Sequence, residues 1–299
     1  MKTGWKTHAI GRHLVDLPGD ARVIESYTYN EVSLKPLPNI KTRASFDGVV
    51  SEKEKELRAT KHKTKGSMFI ERVPHANGSA TLVSWEDPSW EGMYHFDTYF
   101  RAGSRAFKYS GNVSLSRKRP ALDLREELSR EWRELNPGEI PEGIGFVADG
   151  AILVDKDFNL ESWSMAVQFA GKPDVHFDIS AFAQRQVEEP LRKRMGGTLS
   201  GLLGNIVGLT QLRNRERPVG AIWGEEVLVA GTEKGKRAYS FAWEAPGKAH
   251  SLAEPNINVG LGVLESAYPT NKESFASDEE ALELWDAVVN SIRLRPGAV

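Results

Sequence analysis

The tripeptide His-Phe-Asp occurs twice in the chain, at residues 95–97 and 176–178. On an extended strand, residues two apart point to the same face. His95 with Asp97, and His176 with Asp178, are therefore spaced to offer two metal ligands each, or a hydrogen-bonded acid–base couple. A metal site needs one or two more ligands and an outer shell to orient them, which neither pair has in its sequence neighbourhood. The expectation is a polar strand face at both places, with Phe96 and Phe177 turned inward and no metal bound. The chain has seven histidines and no cysteine. That removes thiolate nucleophiles, thiolate zinc sites and disulfides from consideration.

Other chemistry-bearing patterns are missing. There is no G-x-S-x-G nucleophile elbow, no Walker A lysine motif and no H-E-x-x-H. The glycine-rich residues 196–208 lack a Gly-Lys-Ser/Thr and read as a flexible loop with an apolar stretch at Leu202, Leu203, Ile206 and Val207. Asp16, Asp149 and Asp155 sit near strand ends, where turns use carboxylates. No catalytic residue and no cofactor site emerges, and the expectation is a protein that is not an enzyme. One segment stands apart: residues 85–90, Trp-Glu-Asp-Pro-Ser-Trp, place two tryptophans around a turn. They are either core aromatics folding back or an aromatic anchor on a loop, since tryptophan is enriched in binding hot spots.

The elements that would position these groups follow from periodicity. Strands are expected at 14–17, 21–32, 68–73, 80–85, 93–101 and 106–115, joined by short turn-rich links that suit an antiparallel meander. Ser51 and Glu54 read as a capping box opening a mostly charged helix at 52–64, and a second helix over 122–135 carries Leu124, Leu128, Trp132 and Leu135 on one face. Asn136-Pro137-Gly138 then marks a boundary. Further strands are expected through 154 and at 162–169, 175–182, 218–222, 225–230, 237–244 and 256–264, with a polar helix at 187–195. The basic clusters at 192–194 and 213–217 read as a solvated helix end and a solvated loop. Ser277 and Glu280 cap a last helix that buries Ala281, Leu284, Trp285, Val288 and Ile292. The fold class is α+β. Two domains, 1–140 and 143–299, are each a mainly antiparallel sheet with packed helices, possibly a structural duplication.

Composition bounds the partners. The chain has 299 residues, is 40% hydrophobic and 27% charged, and carries a net charge of −2. That is a folded chain with no basic excess to follow a nucleic-acid backbone. No run of about 18 apolar residues exists to span a membrane. The first six residues lack the apolar core of a signal peptide.

Several segments together resemble one family. They are the opening 11–18 (GRHLVDLP), 52–65 with its LRATKHK, 140–142 (IPE) followed by 145–151 (GFVADGA), 171–175 (GKPDV), 224–228 (GEEVL), 239–245 (YSFAWEA) and 279–286 (EEALELWD). In this order they are similar to the immunity proteins cognate to a class of type VI secretion lipase effectors, of the Tle cognate immunity protein 4 kind, across both the N- and C-terminal domains. The resemblance implies a periplasmic protein, its export segment removed, that binds a phospholipase toxin of α/β-hydrolase type, one to one, and blocks it without cofactor or reaction. Ala9 and Val147 depart from the pattern, standing where the family often carries cysteines. The alternatives are a cell-envelope small-ligand or lipid-binding protein, and a cytoplasmic location. The residues expected at the partner interface are Trp85, Asp87 and Trp90 in the first domain. In the second they are Arg192 and Arg194 flanking Leu199, Leu202 and Leu203.

Overall fold

A computed structural model describes residues 2–195, 207–233, 236–263 and 274–299. The chain begins with a hairpin of β1 (Trp5–Ile10) and β2 (His13–Pro18), followed by β3 (Arg22–Tyr29). Asn30 and Glu31, both at positive φ (49° and 63°), turn β3 tightly into β4 (Val32–Pro36). The expected single strand at 21–32 is thus two strands with a turn between them.

Helix α1 (Arg43–Ala59) starts at Thr42, whose hydroxyl accepts from Ser45 N while Ser45 Oγ accepts from Thr42 N, each at 3.1 Å. The Ser51/Glu54 pattern lies inside this helix and caps nothing. A three-residue signature recurs by chance, and the true cap sits two and a half turns earlier. Strands β5 (Phe69–Pro74), β6 (Ala80–Asp87), β7 (Trp90–Ala102) and β8 (Arg105–Ser114) follow as a meander. Helix α2 (Lys118–Arg130) ends before Trp132, which instead opens β9 (Trp132–Glu134). Trp132 is still buried, stacked on Phe107 with ring centres 4.5 Å apart. Its burial comes from a strand and not from the helix the periodicity predicts. Strands β10 (Phe146–Ala148) and β11 (Ala151–Leu153) form a hairpin through Asp149 and Gly150, at φ 38° and 73°.

Next come β12 (Ser162–Gln168), β13 (Val175–Phe182) and the five-residue α3 (Leu191–Met195), shorter than the helix expected from residue 187. Strand β14 (Val207–Glu216) takes in most of the basic run read as a loop, while residues 196–206 of the glycine-rich stretch lie outside the described residues. Then come β15 (Glu225–Glu233), β16 (Lys236–Ala245), β17 (Asn256–Val263), α4 (Asp278–Val289) and β18 (Arg293–Leu294). Between β14 and β15, where a strand was expected, only a Val219–Ile222 bridge forms.

Contacts divide the chain into two units that are not consecutive halves. One holds residues 1–26 and 158–299, the other residues 27–157, so position 140 lies inside the second. In the discontinuous unit the strands run β14-β15-β16-β17-β13-β12-β3, with a small sheet β1-β2-β18 beside them in chain order. In the continuous unit they run β3-β4-β8-β7-β6-β5. Strand β3 thus contributes its first five residues to one unit and its last three to the other. Paired strands are antiparallel, which fits the α+β class expected from the sequence.

Each sheet is positioned by the helices it packs on. In the continuous unit, Phe46, Val50 and Leu57 of α1 pack on Leu82 and Tyr99, while Ala121 and Leu122 of α2 pack on Val83 and Phe96, one residue over and so on the other face. In the discontinuous unit, Trp285 of α4 is fully buried against Phe177 and Phe241, with ring centres 6.0 and 5.6 Å away. Removing a side chain of that size from water contributes several kcal/mol at about 25 cal/mol per Å². Ser277 caps α4 by accepting from Glu280 N. Glu280 does not return to the cap; its carboxylate accepts from Ala276 N and Lys172 Nζ, both at 2.6 Å.

Candidate protein-docking site

In the continuous unit, β6 and β7 project a hairpin whose tip is Pro88-Ser89, with Asp87 paired to Trp90 across it. The Asp87 carboxylate accepts from Ser89 Oγ and Ser89 N, both at 2.7 Å, and these bonds hold its carboxyl below the usual range. The tip is tied to residues 60–66 by Lys63 N donating to Pro88 O at 2.7 Å, by Thr64 Oγ1 on Glu91, and by a Lys65–Glu91 ion pair at 2.9 Å.

The two tryptophans around this tip differ. Trp85 is half-buried between His62 and Tyr94, with ring centres 5.6 and 5.3 Å away, and packs on the α1 core. Trp90 is 55% exposed and lies over Gly92, where a Cβ would fall 1.8 Å from Cζ2. Trp90 offers the larger free surface, while Trp85 is partly covered by His62 and Tyr94. The core reading fits Trp85, and the exposure of Trp90 is compatible with the anchor reading.

The second group of expected interface residues lies in the discontinuous unit. On α3, Arg192 Nε donates to Asn214 Oδ1 at 2.8 Å and its backbone N to Glu225 Oε2 at 2.9 Å. Arg194 pairs with the buried Glu244, and its Nε donates to Glu189 O at 2.8 Å. Both arginines are engaged in holding α3 to the sheet. Leu199, Leu202 and Leu203 lie outside the described residues. The basic run at 213–217 is not a solvated loop. Arg213, Arg215 and Arg217 alternate along and beyond β14, and all three reach the fully buried Glu226, Arg215 at 2.7 Å. Asp286 accepts from Arg213 at 2.7 and 2.9 Å, and Trp285 Nε1 donates to Glu226 at 3.2 Å.

Neither His-Phe-Asp pair has company suited to a metal. Among the described residues, no group of three or more His, Cys, Asp or Glu is placed to hold an ion. His95 Nε2 is 3.5 Å from the buried Asp97, which also receives Ser110 Oγ at 2.6 Å and Lys108 Nζ at 2.8 Å. Burial works to raise the Asp97 carboxyl, but bonds from His95, Lys108 and Ser110 outweigh it and hold it well below the normal range. The same Asp97 bond raises the His95 pKa. Ser110 and His95 both point at Asp97, a charge-balanced cluster and not a nucleophile–base relay. His176 and Asp178 stand exposed on β13, with Phe177 buried between them as the alternation predicts.

Two exposed apolar residues escaped sequence reasoning. Ile24 on β3 is 76% exposed, although a β-branched residue in a strand reads as core. Trp223, in the turn before β15, is 44% exposed and borders a cavity of about 420 Å³ with Ile222, Pro246, Pro255 and Leu294.

Antiparallel sheets backed by helices, with an aromatic hairpin tip and its charges tied to neighbouring elements, define an α+β protein built to present a surface. Family models place it further: the Tle cognate immunity protein 4 N-terminal domain matches residues 6–131 and the C-terminal domain matches residues 139–297. The chain belongs to the Tle cognate immunity protein 4 family. Among solved structures, it is similar to the apo immunity protein TplEi of the type VI secretion system of Pseudomonas aeruginosa, at 37% identity, covering 99% of both chains, with a TM-score of 0.92. It is likewise similar to a chain of the Tle4–Tli4 complex, at 36% identity over 100% of both chains and a TM-score of 0.92. A third relative is TplEi of P. aeruginosa complexed with an "L" peptide, at 35% identity, covering 99% of this chain and 100% of that one, with a TM-score of 0.87. No curated protein matches the chain.

Proposed function

We propose that this protein is an immunity protein that binds a type VI secretion lipase effector of the α/β-hydrolase type, one to one, and neutralises it. The observation that carries this is whole-length similarity, at 36% identity, to a chain solved in the Tle4–Tli4 complex. The protein acts by binding and catalyses no reaction, and it meets its partner in the periplasm. No described helix is long and apolar enough to cross a membrane. Its evolutionary modules are residues 1–140 and 143–299, a division supported by the spans of the two family models.

Within this function, Trp90 is the aromatic contact of the first module, positioned by its pairing with Asp87 across the hairpin tip. Arg192 and Arg194 fix α3 at the second contact region. A stable complex of this kind buries on the order of 1,600 Å². The test is to mix the purified chain with its cognate effector and measure mass by light scattering and residual phospholipase activity. A one-to-one complex with activity abolished is expected. Full activity at micromolar concentrations of both folded proteins, with no complex, refutes the proposal.

A further inference from the structure

A groove of about 840 Å³ lies across the face of the discontinuous unit's sheet opposite α4. Its floor and walls come from three neighbouring strands. On β12, Ala166 and Gln168 face outward; on β13, His176 and Asp178; on β3, Arg22 and Ile24. Register places Ala166 beside Asp178, and Asp178 beside Gly260 on β17. A Cβ at position 260 would stand 2.8 Å from Asp178 Oδ1, so the glycine makes room for the carboxylate to lie over it.

Three properties set this groove apart. The side chains of Arg22, His176, Asp178 and Gln168 have no hydrogen-bond or ion-pair partner among the described residues, although charges elsewhere in the chain are extensively paired. Although Asp178 is exposed on its strand, the groove walls partly shield it from solvent, which pushes its carboxyl up, with no cation beside it to offset that effect. Ile24, the most exposed large apolar residue described, stands on the rim. A cation, an anion and an apolar side chain are thus left open around one concavity, in which Ala166 lies between Ile24 and Asp178.

We propose that this groove is a docking site for an extended segment of the effector, one that brings an acidic side chain to Arg22, a lysine or arginine to Asp178 and an apolar side chain onto Ile24. The charge pattern selects the occupant. A lipid chain would leave both charges unpaired under its contact, whereas a peptide carrying opposite charges satisfies both. A second copy of this chain is the competing occupant. The proposal rests on the reading of the chain as an immunity protein.

The test uses the full chain and its cognate effector. Affinity is measured by calorimetry for wild type, Ile24→Asp, Arg22→Glu and Asp178→Lys, alongside thermal melts and sedimentation of each chain alone. Each variant is expected to weaken binding by roughly 10-fold or more, with an unchanged melting temperature and a monomeric free chain. Wild-type affinity in all three variants overturns the groove while leaving the proposed function standing. Failure of the wild type itself to bind overturns the function first. A lowered melting temperature for Ile24→Asp shows that the chain's own residues cover this face, and a wild-type dimer broken by Ile24→Asp assigns the face to self-association; either result sinks the proposal.

Discussion

Replacing Arg12 by methionine removes the centre of a buried polar knot in the discontinuous unit. The Arg12 guanidinium is 1% exposed and grips Glu161 through two bonds, at 2.7 and 2.9 Å, while its Nη1 donates to Ala298 O at 2.6 Å. Arg12→Met keeps most of the volume but leaves the Glu161 carboxylate buried, with Asn159 Nδ2 at 3.1 Å as its remaining side-chain donor. Breaking a buried pair from one side costs about 3–5 kcal/mol, because the surviving charge is uncompensated. At about 2–4 °C per kcal/mol for a unit of this size, the melting temperature should drop by roughly 10 °C. Removing both charges, as Arg12→Met with Glu161→Leu, should recover most of that loss, since the desolvation penalty disappears with the second ion. Urea titrations of wild type, the two single variants and the double variant form the necessary cycle. A single-variant loss under about 1 kcal/mol, or a double variant no more stable than Arg12→Met, refutes the claim that charge compensation, and not packing, governs this knot.

Three further outcomes are expected. His13 is buried beside Arg12 and Arg295, and burial first, then those two cations, lowers its pKa from 6.5 to about 4. The unfolded chain therefore takes the proton first, so stability should fall by about 3 kcal/mol in all as pH drops from 6.5 towards 4. That slope should flatten in His13→Phe when denaturation midpoints are compared across pH. Gly11→Ala puts a methyl at φ 54° with its Cβ 2.1 Å from Trp163 Cδ1. It should lose about 1–3 kcal/mol in the same denaturation assay from overpacking, and more if the backbone cannot hold that φ. Trp85→Ala should destabilise the chain by about 3 kcal/mol with its aromatic stack gone, whereas Trp90→Ala should leave the melt unchanged and weaken effector binding by at least tenfold.

How far the sequence carried is clearest on β12 and β13. Trp163, Met165 and Val167 are buried while Ser162, Ser164, Ala166 and Gln168 are turned out, and period-two alternation predicts that face without help. The same signal was present at Arg213, Arg215 and Arg217, but charge made it look like a loop. The buried Glu226, on the next strand and directly opposite Arg215, explains why arginines line a strand there, and its burial is not visible in the sequence. Helix starts were the weak point. Thr42 and Ser45 cap α1 with hydroxyls alone, a pair too common in sequence to stand out against Ser51 and Glu54. At the proposed docking surface, residue type located the Trp85–Trp90 hairpin but not which tryptophan is more open, because His62 and Tyr94, which cover Trp85, arrive from other segments. Ile24 was invisible for the same reason: exposure is set by what fails to pack on a strand, and that is a property of the whole fold.

The discontinuous unit has a consequence for synthesis. Strand β2 pairs with β18, and Arg12 bonds a carbonyl 286 residues downstream. A chain emerging from its amino end can assemble residues 27–157 from neighbours already made, whereas β2 must wait for β18, and Arg12 for Ala298, before the small sheet can close. Synthesis halted before β18 would therefore leave the opening hairpin without that strand partner and Arg12 Nη1 without the Ala298 carbonyl, while the Arg12–Glu161 pair, complete once residue 161 is made, could still form.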